Sequence, residues 1–159
     1  MAYHRQQGVD TGIARIFNTY GPKMRPNDGR AIPTFLDQAL AGKPLTVFGD
    51  GSQTRSFCYV DDLVRGLVML AESDVHEPVN LGNPDEMALI DMARLIVELT
   101  ESRSEIVFEA LPVDDPQVRQ PDITRARDLL GWEPEIELRE GLARTVEHYT
   151  SKMGEPSAR

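Results

Sequence analysis

A chain of 159 residues is long enough for one domain with a real core, since a domain of that size buries roughly 70% of its unfolded surface. Hydrophobic residues at 40% and charged residues at 27% fit neither a disordered tail nor a membrane protein. The 26 acidic against 17 basic side chains leave a net charge of -9, which repels polyanions and disfavours unspecific nucleic-acid binding, so any phosphate must be held locally.

No stretch approaches the roughly 18 consecutive apolar residues of a membrane span, and MAYHRQQGVD at the start has no apolar signal core. The expected location is the cytoplasm, with no membrane partner. Cys58 is the only cysteine, which rules out an internal disulfide and a clustered thiolate zinc site and leaves it as a buried small hydrophobe.

The stretch AYHRQQ is helix-compatible and stops at Gly8, as a helix end does, but no capping residue precedes it. A helix already under way at Met1 is expected, inside a longer natural domain. Residues 12 to 18, GIARIFN, read as a largely buried strand. The loop TYGPKMRPNDGR follows, dense in proline, glycine and the Asn27-Asp28 pair.

From Ile32 to Leu40 the apolar residues follow helical spacing, with Pro33 tolerable in the first turn and Gly42 closing the helix. Residues 45 to 48, LTVF, and SFCYV read as two strands joined by the polar turn GDGSQT, a candidate hairpin. Asp61 or Asp62 is the expected cap of the next helix, whose face is Leu63, Val64, Leu67, Val68 and Leu70.

Val79 to Leu81 reads as a brief strand, and residues 88 to 99 as an amphipathic helix with the stripe Leu89, Met92, Ala93, Ile96 and Leu99. Another strand is expected from Glu105 to Leu111, followed by the charged, proline-rich PVDDPQVRQPDIT. Thr124 is the expected cap of a short helix stopped at Gly131, and a last helix runs from Leu138 to about Tyr149. The fold class is α/β, with one unit over 1–150 and a flexible tail over 151–159.

Signatures of paired-histidine metalloproteases, Walker loops, nucleophile elbows and calcium loops are absent. His4, His76 and His148 stand far apart in polar surroundings and read as solvated surface residues, so no metal is expected. Gly49 and Gly51 begin a pattern like a dinucleotide fingerprint, but Thr54 replaces its third glycine and a β-rich segment follows. A hairpin loop is the simpler reading. Arg15, Arg30, Arg55 and Arg119 lie in or beside loops, where a guanidinium fork suits phosphate oxygens, although each has many carboxylates to pair with.

The stretches ARIFNTYGP, MRPNDGR, GKPLTVFGDGSQTRSFCYVDDLVRGL, PVNLGNPDE, DDPQVRQPDI and LLGWEP resemble successive segments of UDP-glucuronate decarboxylases, over about residues 3 to 149. That family belongs to the extended short-chain dehydrogenases, so the resemblance implies the last Rossmann elements plus the small substrate-binding domain. In the complete enzymes bound NAD oxidises the sugar at C4, the β-keto carboxylate leaves as carbon dioxide, and the hydride returns to give UDP-xylose. Their glycine-rich NAD loop, active-site Thr or Ser with glutamate, and YxxxK helix have no match here. Tyr3 is followed four residues on by Gln7. The chain is therefore expected to be the C-terminal part of such an enzyme, binding no NAD and inactive alone.

The resemblance implies UDP-sugar binding by Asn18 at the diphosphate, by Arg55 and Arg119 as diphosphate or carboxylate clamps, and by Thr46, Val47 and Phe48 at the uracil ring. Arg30, Ala31 and Phe35 match the segment over the nucleotide, Tyr3 approaches the sugar, and Phe17 and Thr19 match positions on the nicotinamide side. Arg119 also matches an arginine proposed as a proton donor, although its pKa makes it a poor acid. Asp122, as a carboxylate beside Arg119, and Trp132, as core, read as structural. Three alternatives stand: part of a dTDP-glucose dehydratase or UDP-glucose epimerase, a non-catalytic UDP-sugar-binding module, and a remnant whose surfaces only associate. An exposed apolar segment, self-association, or a second chain supplying the missing Rossmann half is expected.

Overall fold

The computed structural model describes residues 2–25, 29–111 and 120–153. Its elements in chain order are α1 (Ala2–Gln7), β1 (Ile13–Ile16), β2 (Thr19–Tyr20), α2 (Ala31–Leu40), β3 (Leu45–Phe48), β4 (Thr54–Ser56), β5 (Cys58–Tyr59), α3 (Val60–Ala71), β6 (Pro78–Leu81), β7 (Glu86–Ala88), α4 (Leu89–Leu99), β8 (Ile106–Glu109), α5 (Thr124–Leu130) and α6 (Leu138–Met153). The fold is α/β. Two compact units form, one from Met1–Thr19, Ser56–Glu86 and Gln120–Ile136, the other from Tyr20–Arg55, Met87–Arg119 and Glu137–Arg159. Helix α6 runs past the tail boundary expected at residue 150, and residues 154–159 lie outside the described ones.

In the first unit β1 and β6 pair in parallel, Ile13 opposite Pro78 through Ile16 opposite Leu81. Helices α3 and α5 pack on this pair around Cys58, Leu63, Leu70, Val79, Leu81, Ile123, Ala126 and Trp132. Burial and the nearby Asp62 carboxylate push the Cys58 thiol up to about 12, so it stays an inert core group.

Asp62 is not the cap expected for α3. The N-cap position is Tyr59, without a side-chain hydrogen bond, and Asp62 lies buried in the first turn. Its Oδ2 accepts the amides of Glu135 (3.1 Å) and Ile136 (2.9 Å), while its Oδ1 accepts Arg65 Nη2 at 3.1 Å. Its main-chain carbonyl accepts Trp132 Nε1 at 2.9 Å. A buried carboxylate with three donors has its desolvation largely offset. Thr124 is likewise not a cap: its amide donates to Asp122 Oδ1 at 2.9 Å, so the carboxylate two residues earlier closes the start of α5, and hydrogen bonding from the Thr124 side chain first and its amide second holds that carboxyl below the ordinary range.

The histidines expected on the surface split. The His4 and His76 rings stack with centroids 3.8 Å apart, His4 Nδ1 lies 3.0 Å from the Val9 carbonyl and His76 Nδ1 3.1 Å from that of Thr11. His148 is half-buried in α6.

In the second unit β3 pairs in parallel with β8, Leu45 opposite Ile106 through Phe48 opposite Glu109. The expected hairpin of LTVF with SFCYV therefore does not form. Helix α4 follows its expected stripe, with Leu89, Met92, Ala93 and Ile96 buried. Ile32, Phe35, Leu36 and Ala39 of α2 and Leu142 of α6 are also buried. Tyr20 donates its hydroxyl to the Leu138 carbonyl at 3.2 Å, and Arg139 pairs with Glu98 across α6 and α4.

Gly66 is where α3 comes closest to its neighbours: a Cβ there would stand 2.9 Å from Trp132 ring atoms and 3.0 Å from Leu81 Cδ2. Gly66→Ala should lower stability by about 1–3 kcal/mol through overpacking, against the ~1 kcal/mol that alanine ordinarily gains in a helix. Urea unfolding followed by the fluorescence of Trp132, the single tryptophan, measures it. An unchanged or raised midpoint would contradict the contact. In the same assay Asp62→Ala should cost about 1–3 kcal/mol by orphaning two part-buried amides, and Asp62→Asn less, because one amide oxygen still accepts. Equal losses for both would contradict the acceptor role.

Candidate functional site

The second unit holds most of the described candidate residues, and β3 organises them. The amides of Leu45 and Gly49 donate to the carbonyls of Glu105 and Glu109, each at 2.8 Å. Strand alternation therefore turns the main-chain groups of Thr46 and Phe48 to the opposite edge. There the Thr46 amide donates to Gln38 Oε1 (3.0 Å), Gln38 Nε2 donates to Thr46 Oγ1 (3.2 Å), and Gln53 Nε2 donates to the Phe48 carbonyl (2.9 Å). Among the described residues nothing pairs with the two groups that remain on that edge, the Thr46 carbonyl and the Phe48 amide, an acceptor and a donor side by side. The Phe48 ring is 41% exposed, whereas Val47 is core.

The turn after β3 is closely packed. Gly49 and Gly51 have φ of 64° and 75°, and a Cβ at Gly51 would lie 2.7 Å from Val47 Cγ1 and 2.8 Å from Ile90 Cβ. The carbonyls of Gly51 and Gln53 accept the first amides of α4, from Ile90 and Leu89, each at 3.1 Å. Asp50 Oδ1 accepts the Ser52 hydroxyl (2.6 Å) and amide (2.9 Å), which holds its carboxyl below the ordinary range. The turn leads into strand β4, not a helix, and the space a pyrophosphate would need at Gly51 is filled by Val47 and Ile90. These glycines do not fit a dinucleotide cradle.

Arg55, at the end of this turn, is only 8% exposed and donates Nη1 to the Thr54 carbonyl at 2.7 Å. Arg30 holds the N-cap position of α2 in extended conformation, its carbonyl accepts the Thr34 amide and hydroxyl, and its side chain reaches solvent. Ala31 opens α2 half-buried, and Phe35 is a core residue 3% exposed. The Phe48 ring on β3 and the Arg30 side chain at the start of α2 are thus open to solvent in this unit.

In the first unit the Asn18 carbonyl accepts the Cys58 amide at 2.9 Å, and Phe17 donates its amide to Leu81 at 3.0 Å. Thr19 Oγ1 donates to the Phe17 carbonyl at 2.9 Å, so it serves its own turn. Phe17 packs over Gly82, where a Cβ would meet it at 2.7 Å. Tyr3 on α1 is 68% exposed. Arg119 and the DDPQVR segment lie outside the described residues, as do Asn27 and Asp28. Gln38 and Gln53 escape the sequence reading, because their roles depend on where α2 and the glycine turn pack against β3. No group of three His, Cys, Asp or Glu side chains placed to hold a metal exists among the described residues, and none of their helices is long and apolar enough to cross a membrane.

The chain resembles known proteins along nearly its whole length. It is 53% identical over 96% of its residues to the UDP-glucuronic acid decarboxylase 1 of Xenopus tropicalis, but spans only 36% of that protein. Among solved structures, the UDP-glucose 4-epimerase of Thermotoga maritima with UDP-glucose superposes with a TM-score of 0.91 and 31% identity, covering 96% of this chain and 50% of that one. The UDP-glucuronic acid 4-epimerase of Bacillus cereus, in complex with UDP-glucuronic acid and NAD, matches at a TM-score of 0.85 and 30% identity, over 95% of this chain and 48% of that one. The family model described as the NAD dependent epimerase/dehydratase family matches residues 1–82, just over half of the chain. The chain belongs to the NAD dependent epimerase/dehydratase family.

Proposed function

We propose that this chain is the sugar-nucleotide-binding portion of a UDP-glucuronate decarboxylase, with its uracil subsite on the outer edge of β3. The observation that carries the reading is the pair on that edge, the Thr46 carbonyl and the Phe48 amide, that no described residue takes once Gln38 and Gln53 have bonded the other two groups. A uracil imide offers the matching set, an N–H beside a carbonyl oxygen, and the exposed Phe48 ring supplies an apolar flank. The decarboxylase relatives and the UDP-sugar complexes of the similar structures support the same class of ligand.

Arg55 supplies positive charge toward the diphosphate, and its near-complete burial raises the value of each hydrogen bond it makes; Arg119, outside the described residues, is given the same role by the resemblance alone. In the same unit Arg30 and Ala31, at the start of α2, join the candidate substrate residues, while Phe35 packs in the core. Phe17 and Thr19 belong to the nicotinamide side of the complete fold. NAD in the complete enzyme carries the redox chemistry; the described residues contribute substrate binding only, and no catalytic step is assigned to them. The dehydratase and epimerase readings share this subsite. The non-catalytic module differs in having no catalytic partner at all.

Calorimetric titration should detect UDP and UDP-glucuronate binding that an Arg55→Ala, Arg119→Ala double variant loses. CDP should bind at least about tenfold more weakly than UDP, because cytosine places an acceptor against the Thr46 carbonyl and leaves an unpaired polar edge costing about 1–3 kcal/mol. Equal affinity for the two diphosphates would overturn the assignment of the β3 edge. The pure chain given UDP-glucuronate and NAD should release no carbon dioxide, and labelled carbon dioxide above background would contradict its role as a binding part.

A further inference from the structure

Two of the three histidines meet at the end of α1. The His4 and His76 rings stack with centroids 3.8 Å apart and planes tilted by 32°. Each commits its Nδ1 to a carbonyl of one short segment: His4 lies 3.0 Å from the Val9 oxygen, and His76 3.1 Å from that of Thr11. A carbonyl only accepts, so both Nδ1 atoms carry hydrogen, and a neutral ring keeps its lone pair on Nε2. The stack thereby joins the end of α1, the loop feeding β1 and the turn between α3 and β6, three parts of one compact unit.

We propose that His4 and His76 form a proton-operated latch, closed while at most one of the rings is charged and open when both are. The first proton leaves every contact in place, because both Nδ1 donors persist and the Asp10 carboxylate lies 3.4 Å from His76 Nδ1. The second puts two cations face to face. Among the described residues Asp10 is the one carboxylate paired with either ring, and at 80% exposure its attraction is screened by solvent. The other titratable groups on the elements that meet here do not offset the second charge. Arg5 follows His4 on α1 and adds a positive charge, Tyr3 before it is 68% exposed, and Glu77 is engaged by Arg125 at 3.2 Å. Glu72 and Asp74, in the turn ahead of His76, make no ion pair with either ring. The open form therefore holds one proton more than the closed one, and falling pH favours opening. Opening frees the end of α1 and with it Tyr3, which the resemblance sets near the sugar. The inference does not depend on the sugar-nucleotide reading.

NMR of the chain tests it. At about pH 8 nuclear Overhauser effects should join the two rings, and the Gly8 amide, which donates to the His4 carbonyl at 3.0 Å, should be protected from exchange. By about pH 5 the ring contacts should vanish and the protection factor of Gly8 should fall at least about tenfold. Unchanged Trp132 fluorescence over that range separates local opening from unfolding. His76→Asn keeps a donor for the Thr11 carbonyl but takes no charge, and should leave Gly8 protected at both values. Asp10→Asn, at an exposed position, removes the offsetting carboxylate and should move the opening to higher pH. Ring contacts that persist at about pH 5, or an equal loss of Gly8 protection in the unaltered chain and in His76→Asn, would overturn the proposal. So would an Asp10→Asn chain that opens at the same pH as the unaltered one.

Discussion

The buried carboxylate of Asp62 is the constraint on which the first unit depends. It sits in the first turn of α3, yet two of its bonds go to amides more than seventy residues later, at Glu135 and Ile136, and its carbonyl holds the Trp132 indole. Arg65 reinforces the junction, donating to Asp62 and to the Glu133 carbonyl at 2.6 Å and lying 3.1 Å from Glu135. Trp132 is thereby pressed onto Gly66, the one place on α3 where no side chain fits. An isolated buried carboxylate is costly, so the geometry persists only because every element of this junction is present together.

A different constraint shapes the second unit, that of an edge strand whose polar groups need partners. Side chains from α2 and from the glycine turn satisfy two of the four outward groups of β3, and the positive φ of Gly51 lets the turn pack beneath Val47 and Ile90. In the proposed subsite stability and recognition would share one set of atoms, since the glutamines that close the edge also set which donor and acceptor a ligand would meet.

Much of the helical structure was legible in the sequence, because its causes are local. The stripe of α4 and the stops at Gly42 and Gly131, with φ of 66° and 63°, follow from side-chain spacing and from glycine's tolerance of left-handed backbone. Strand partners were not legible, since β3 chooses β8 some sixty residues away over the nearer SFCYV segment, a choice made by long-range packing. Caps failed for a related reason: an aspartate near a helix start favours a cap locally, but Asp62 is claimed by amides distant in sequence, and the amide of Thr124 is taken by Asp122. The candidate site was visible only through the likeness of LTVFGDGSQTR to a known family. Nothing in the spacing of Gln38 or Gln53 marks them as the residues that leave Thr46 and Phe48 half-paired.

The claim at the centre of this account is that the chain carries a sugar-nucleotide subsite on β3 without a place for a dinucleotide in its glycine turn. Hydrogen exchange followed by mass spectrometry, with UDP-glucuronate and NAD added separately, addresses both halves at once. The account predicts slowed exchange in the peptide spanning residues 45–56 with the UDP-sugar and no change there with NAD. Slowing by NAD in that peptide, or none with UDP-glucuronate, would contradict it.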